Sequence, residues 1–192
     1  MKIIFCQDPL DPKQIDSMYQ LEAETALQLG IDYHSISFED LTAGLANIAV
    51  KRVPQQKDMA RAIYRGWMLT PSHYQQLYEA LLTRNIRLIN TPDMYRHCHY
   101  LPESYAIIAP YTPTSIWLKD DDHLTMDAIH QALQIFKNKP IMVKDYVKSQ
   151  KHYWHEACYI PQADDQKTVE AVVARFRELQ GSELNEGLVF RE

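Results

Sequence analysis

The sequence predicts an α/β protein in which a helix-covered parallel sheet is followed by a second unit of strands and helices. Two observations support this prediction. Short apolar runs alternate with amphipathic segments through residue 90, the order typical of a parallel sheet. From residue 91 to residue 114, four prolines interrupt any long element, which indicates a domain junction. We therefore expect two domains, 1–95 and 96–192, each able to form its own core because 46% of the residues are hydrophobic.

The first domain opens with a predicted strand at residues 2–6. A helix is expected after Asp11-Pro12, and Gly30 ends it. The apolar face predicted for this helix consists of Met18, Leu21, Thr25 and Leu29. Further strands are predicted at 33–37, 63–66 and 86–89, and the stretch 38–53 is compatible with a helix or an irregular segment.

The helix after residue 70 carries the clearest local signals. Thr70 is a suitable N-cap, and Pro71 follows at the first helical position, where its missing N–H costs no hydrogen bond. Helical spacing predicts an apolar face made by Tyr74, Leu77, Tyr78 and Leu81.

The second domain resumes with a predicted strand at residues 115–118. Two helices are expected from apolar residues at helical spacing, and Gly181 ends the second of them. Their apolar positions are Met126, Ile129, Leu133 and Phe136 in the first helix, and Val169, Val172, Phe176 and Leu179 in the second. Two strands complete the domain, at 141–144 and at 187–192.

Composition excludes several classes of function. The net charge of −5 and the lack of a basic stripe argue against binding to nucleic acid. No run approaches the roughly 18 apolar residues of a membrane span. The scattered cysteines Cys6, Cys98 and Cys158 form no CxxC pair, which is typical of a reducing compartment, so a cytoplasmic location is expected.

A cluster of cationic residues begins at the end of the 141–144 strand. It comprises Lys144, Lys148, Ser149 and Lys151. Three ammonium groups and a hydroxyl could hold a polyphosphate, each charged hydrogen bond contributing about 1.5–3 kcal/mol. A solvated lysine-rich turn has the same composition, so spacing leaves both interpretations open.

Several segments together resemble the nucleotide-binding core of ATP-grasp proteins, in particular the clade marked by two arginines and one lysine. They are Ile141-Met142-Val143-Lys144, Ser149-x-Lys151, the helix from about residue 165 to 180, and Gly187-Leu188-Val189-Phe190-Arg191-Glu192. Residues 64–69 and 95–105 also resemble the forward part of that clade. The resemblance implies a pre-ATP-grasp domain, followed by a partial ATP-grasp domain with an α+β lid.

The resemblance also implies roles for individual residues. Lys144 would reach the α-phosphate and the adenine edge, and Lys148, Ser149 and Lys151 would assist at the phosphates. Val189, Phe190, Arg191 and Glu192 would form the hinge strand whose backbone binds adenine, with Glu192 near the exocyclic amine. Arg191 and Arg65 would be the paired arginines of the clade, with Arg65 contacting substrate. The strands ending in Lys144 and Arg191 are then expected to sandwich the purine ring.

By this resemblance, the expected function is ATP binding within a carboxylate–amine ligase that acts through an acyl phosphate. Its partners would be ATP, Mg²⁺ and small-molecule or peptide carboxylate and amine substrates, and a homodimer is compatible with the sequence. Two departures stand out. The chain has no glycine between Gly66 and Gly181, so a glycine-rich phosphate loop is absent, and the family's acidic metal ligands would lie beyond Glu192. A non-catalytic nucleotide-binding module, or a protein completed by a partner, therefore stays open.

Other sites are less well supported. Glu186-Gly187-Leu188-Val189 resembles a motif of covalent nucleotidyltransferases, but Lys144 lacks the Lys-x-Asp-Gly context of their nucleophile. The histidine-rich stretches 97–99 and 152–156 lack convincing metal-ligand spacing, so no metal site is predicted in them.

Overall fold

The computed structural model describes residues 1–192, which form two compact units, Met1–Arg96 and His97–Glu192. Eight strands are present: β1 (Lys2–Cys6), β2 (Tyr33–Ile36), β3 (Ala60–Arg65), β4 (Ile86–Leu88), β5 (Ser115–Lys119), β6 (Ile141–Asp145), β7 (Tyr159–Ile160) and β8 (Gly187–Arg191). The α-helices are α1 (Gln20–Gln28), α2 (Phe38–Thr42), α3 (Ala46–Ala49), α4 (Pro71–Leu82), α5 (Pro92–His99), α6 (Leu101–Ile108), α7 (Met126–Leu133), α8 (Trp154–Ala157) and α9 (Gln166–Gln180). Short 3-10 turns occur at Ser17–Tyr19, Ala109–Tyr111, Gln134–Phe136, Lys151–Tyr153 and Gly181–Glu183.

The first unit contains a four-stranded, fully parallel sheet in the order β2-β1-β3-β4. Its alternation of strands and helices confirms the α/β prediction for this part of the chain. One face packs on α2, α3 and α4 around a continuous apolar core. That core includes Ile4, Ile36, Leu41, Leu77, Leu81 and Ile86, all fully buried.

Helix α4 begins as its sequence predicts. The Thr70 hydroxyl oxygen accepts a hydrogen bond from the backbone N–H of His73 at 3.2 Å, and Pro71 occupies the first turn. Tyr74, Leu77 and Leu81 are buried, while Tyr78 is partly buried at the edge of the core.

The predicted apolar face of α1 is wrong. Met18 and Leu21 are 67% and 78% exposed, and Leu29 is 70% exposed. The helix instead turns Ala23 and Ala26 toward the sheet, and the preceding Tyr19 packs with Phe5. Small alanine side chains let the helix backbone lie close to the strands, so the large apolar residues end on the outside.

The second unit contains an antiparallel sheet in the order β5-β8-β6-β7. One face is covered by α7 and α9 and forms the second core. Phe136, Ile141, Val143, Phe176, Leu188 and Phe190 are among its fully or almost fully buried residues. The predicted α+β architecture of this unit is thereby confirmed.

The proline-rich stretch between the predicted domains is helical. Pro92 and Pro102 lie in the first turns of α5 and α6, where proline is tolerated, so they start short helices rather than prevent them. The two-residue strand β7, which pairs with β6, also went unpredicted because it is too short for a periodic pattern.

The longest helix, α9, has 15 residues and a polar outer face. None of the helices combines the length and the apolar character needed to cross a bilayer.

Candidate functional site

Lys144 and Arg191 lie on the same face of the second sheet, because β6 and β8 are antiparallel neighbours. Lys144 is opposite Val189, and Met142 is opposite Arg191. Directly opposed residues share a face, and alternate residues of one strand share it too. The expected sandwich of a ligand between the two strand ends is therefore wrong. The two cations lie side by side on the face opposite the α7/α9 core.

Lys144 is a half-buried cation without a partner. Its ammonium group makes no hydrogen bond or ion pair, although long cationic side chains are rarely buried unless paired. Burial lowers the pKa of Lys144, the Arg191 guanidinium lowers it further, and Asp145 partly opposes both effects. An anion bound beside Lys144 would stabilise the charged form, so this position favours a negatively charged ligand.

Arg191 is positioned by the loop before β5. Its Nη2 donates to the Thr112 hydroxyl at 2.5 Å, which leaves other guanidinium N–H groups for a ligand. No carboxylate neutralises Arg191 among the ion pairs of this unit. The pair of cations on one sheet face is therefore suited to a phosphate chain.

A small apolar recess of about 170 Å³ lies at the β7 side of the sheet. It is lined by Pro140, Ile141, Met142, Trp154, Tyr159 and Glu192. Met142 shares the face of Lys144, and the Tyr159 ring stacks on Trp154 with centroids 5.5 Å apart. The Glu192 carboxylate at the rim accepts from Lys139 Nζ at 2.5 Å. A flat heteroaromatic ring with an amino donor suits such a recess.

The predicted hinge residues divide between the two faces of β8. Val189 faces an apolar cluster with Tyr100 and Tyr146, whereas the Phe190 side chain is buried in the opposite core. Because β8 is bonded to strands on both edges, the backbone groups of Val189, Phe190 and Arg191 are taken by the sheet. Backbone contact between these three residues and adenine is thus disfavoured. Of the four residues predicted to bind adenine, Glu192 remains the candidate.

The remaining members of the predicted phosphate cluster lie after β6. Lys148 Nζ is 3.9 Å from Glu183 in an exposed ion pair, and Lys151 is exposed in a 3-10 turn. Ser149 is partly buried and makes no side-chain hydrogen bond. The structure records no contact of Ser149 or Lys151 with Lys144, so their roles stay predictions.

Asp145 is a central residue that the sequence analysis missed. It is fully buried, and its two oxygens accept five hydrogen bonds. Oδ1 accepts from the backbone N–H groups of Val147 and Lys148, and Oδ2 from Gln180 Nε2 and from the backbone and side chain of Asn185. The two loop amides therefore point at Asp145, where a glycine-rich loop would present such amides to phosphate. In the sequence, only the position of Asp145 directly after Lys144 could have singled out this residue.

His99 is a second residue that spacing could not identify. Burial lowers the pKa of His99, Asp145 opposes that effect, and Lys144 and Lys148 lower the pKa further. The charges of Asp145, Lys144 and Lys148 therefore act on this imidazole. His99 also stacks on Tyr100, with ring centroids 6.3 Å apart.

Arg65, the predicted substrate-binding residue, ends β3 in the first unit. Its Nε and Nη2 donate to both carboxylate oxygens of Glu22 at 2.7 and 2.6 Å, and its guanidinium lies 5.1 Å from the Tyr19 ring centroid. Two of its donors are thus engaged within the unit, and contact with substrate stays a prediction.

Side chains that commonly ligate metals do not form a cluster in this structure. No group of three or more histidine, cysteine, aspartate or glutamate side chains is arranged to hold a metal ion.

One part of the chain matches a known protein family. Residues 132–192 match the family described as ATP-grasp domain, R2K clade family 3. This segment contains β6, α9 and β8, and so includes Lys144 and Arg191. This part of the chain is therefore similar to the ATP-grasp domains of this clade, which confirms the resemblance found in the sequence. Among curated proteins no match is found.

Solved structures extend the similarity over the whole chain at the level of the fold. The crystal structure of D-cycloserine synthetase DcsG matches 100% of this chain and 59% of its own, with a TM-score of 0.59 and 14% identity. A RimK domain ATP-grasp protein from Sphaerobacter thermophilus gives a TM-score of 0.58 at 15% identity. This match covers 100% of this chain and 63% of that one. An N5-carboxyaminoimidazole synthase from Aspergillus clavatus, solved with ADP, gives a TM-score of 0.52 at 9% identity. This match covers 99% of this chain and 46% of that one. The chain thus spans about half to three-fifths of the length of these structures.

Proposed function

We propose that this protein binds ATP on the face of the second sheet that carries Lys144 and Arg191. The observation that carries the proposal is the half-buried, unpaired Lys144 beside a second cation, within a segment that matches an ATP-grasp family. A sheet face that buries part of an ammonium group without a carboxylate partner is costly unless an anion joins it.

The nucleotide would lie along this face with its base toward β7. Its adenine ring would enter the apolar recess and pack on Met142, and Glu192 would accept a hydrogen bond from the exocyclic amine. A carboxylate has lone pairs for more than one donor, so Glu192 can keep Lys139 as a partner. The phosphates would then extend toward Arg191 and Lys144.

Within a longer assembly, the bound ATP would serve a carboxylate–amine ligase. A substrate carboxylate would attack the γ-phosphorus, forming an acyl phosphate and releasing ADP. An amine would then attack the acyl carbon, forming an amide and releasing inorganic phosphate. In this chain, the contribution of Lys144 and Arg191 would be to hold the phosphate chain and to balance its negative charge. Mg²⁺ would be supplied together with the nucleotide.

Nucleotide binding is tested by thermal denaturation of the wild-type protein with Mg-ATP and by isothermal titration calorimetry. A ligand at a hundred times its Kd stabilises the native state by about 2.7 kcal/mol, so a clear rise in melting temperature is expected. Lys144→Met should remove that rise. The matched control is Lys167→Met, which alters an exposed lysine on α9 that makes no ion pair.

An unchanged melting curve at millimolar Mg-ATP would contradict the proposal. Equal binding by the Lys144→Met and wild-type proteins would remove Lys144 from the site. Ligase activity is a separate measurement: ADP release in the presence of carboxylate and amine substrates would indicate turnover. Binding without ADP release would favour a nucleotide-binding module or a partner-completed enzyme.

A further inference from the structure

The first unit has a strand edge whose backbone groups are unpaired. In the order β2-β1-β3-β4, the edge strand β2 pairs only with β1. The Ile3 N–H donates to the Asp32 carbonyl, and the Gln7 N–H donates to the Ile36 carbonyl. Because alternate residues of a parallel strand bond to the same neighbour, Tyr33 and Ser35 direct their N–H and C=O groups outward. No hydrogen bond to those groups is present.

This edge opens into a polar groove of about 320 Å³. Tyr33 and Ser35 line it together with residues of the loop after β1, of α1 and of the turn after α3. Two of the lining residues, Lys13 and Arg52, are exposed and form no ion pair. The facing carboxylate of Glu24 accepts a hydrogen bond from the Gln20 side chain at 3.2 Å. The groove is therefore lined by two cations without an ion pair, and by one carboxylate that already accepts a hydrogen bond from a side-chain amide.

We propose that the β2 edge is a docking site for an extended acidic peptide segment of a partner protein. The segment would add a strand to the sheet and exchange backbone hydrogen bonds with Tyr33 and Ser35. Its acidic side chains would lie beside Lys13 and Arg52. Addition of a strand to an open sheet edge is a common mode of peptide recognition, in which the main chain supplies affinity and flanking side chains supply specificity.

The charges decide which occupant fits. Charged side chains at a sheet edge disfavour indiscriminate pairing, so a partner must bring the opposite charge. A second copy of this chain, paired edge to edge through β2, would bring the same two cations into the shared groove. An acidic segment neutralises them. This surface belongs to the first unit and does not depend on nucleotide binding by the second.

The test uses the full chain and a fluorescein-labelled peptide in which glutamate alternates with valine and threonine. Fluorescence polarisation should show saturable binding that weakens as salt is added. A peptide with lysine in place of each glutamate should bind at least about tenfold more weakly. The double variant Lys13→Glu/Arg52→Glu should reverse this preference. Lys57→Glu, which changes an exposed and unpaired lysine elsewhere in the unit, should leave it unchanged.

A second variant separates strand addition from simple charge attraction. Ser35→Pro removes an N–H that points away from β1, so the existing sheet keeps its hydrogen bonds while the added strand loses one. Binding should fall, and amide exchange at Tyr33 in the wild-type protein should slow when peptide is present. If Ser35→Pro does not fold, amide exchange at Tyr33 and the Lys13→Glu/Arg52→Glu variant still test the proposal.

Three results would overturn the proposal. The first is equal binding of the acidic and basic peptides. The second is peptide binding without added protection at Tyr33. The third is sedimentation showing a concentration-dependent dimer that excludes the peptide, because this would assign the edge to a second copy.

Discussion

Replacement of Asp145 tests the inference that one buried carboxylate holds the end of β6, the following loop and the start of β8 together. Asp145 accepts hydrogen bonds from five donors, among them the amide of Gln180, a residue that is only 6% exposed. In Asp145→Ala all five donors lose their acceptor. A buried donor left unsatisfied costs about 1–3 kcal/mol, whereas partly exposed donors can bind water and cost less.

The sum for one buried and four partly buried donors is about 3–5 kcal/mol. That loss is a large part of the 5–15 kcal/mol by which ordinary domains are stable. Asp145→Asn should cost nearly as much, although it conserves shape. Both ends of the carboxylate face N–H donors, and the asparagine NH₂ would place a donor against them at one end. The carboxylate itself, rather than its volume, is therefore required.

The assay is urea denaturation followed by hydrogen exchange and mass spectrometry, because exchange reports each unit separately. Peptides from β6 and β8 should lose protection at lower urea in both Asp145 variants, while peptides from β1 and β3 serve as an internal reference. Asp164→Ala, which removes an exposed aspartate without a side-chain hydrogen bond, is the matched control. A loss below about 1 kcal/mol for Asp145→Ala would refute the reasoning, since the cost of even one buried unsatisfied donor would then be missing.

Three further outcomes are expected. Burial lowers the Lys144 pKa below the ordinary value of 10.5, so the native state binds this proton less well than the unfolded state does. The free energy of unfolding therefore rises as the pH increases from the lowered pKa toward 10.5. Lys144→Met should therefore melt higher than wild type at pH 7 without nucleotide, and the difference should shrink toward pH 10.5; a gap that widens with pH would contradict this sign. Gly187→Ala should lose about 1–3 kcal/mol in urea denaturation, because an added Cβ would collide with the Leu118 carbonyl oxygen and the Tyr146 ring, and an unchanged midpoint would show that the strand can shift. Thr70→Ala should cost about 1 kcal/mol by removing the cap of α4, measured in the same way, whereas Thr70→Ser should retain most of it.

Local signals were sufficient for most of the secondary structure. Thr70-Pro71 marked the start of α4, and short apolar runs marked β1, β6 and β8, because capping and strand patterns depend on neighbouring residues. The buried face of α1 was predicted wrongly because the sheet that covers it is not a local feature of the sequence. Periodicity shows that Leu21 lies on an apolar stripe, but it does not show whether that stripe or the one with Ala23 meets the sheet.

The candidate site was predicted only in part. Sequence motifs singled out Lys144 and Arg191, whose residue types and strand-end positions are local features. The side chains of Lys148 and Phe190 were grouped with them by position along the chain, whereas the structure pairs Lys148 with Glu183 and buries Phe190 in the opposite core. A difference of one residue in a strand reverses the face, which motif spacing does not resolve.

The sequence alone determined the alternation of elements, the capping of α4, the change from a parallel to an α+β architecture, and the segment that carries the ATP-grasp resemblance. Only the tertiary structure decided that Lys144 and Arg191 share one sheet face, that Asp145 binds residues 35 and 40 positions away, and that β2 keeps an open edge. The physical reason is that these features depend on strand order and register, which are set by burying apolar surface between elements distant in sequence.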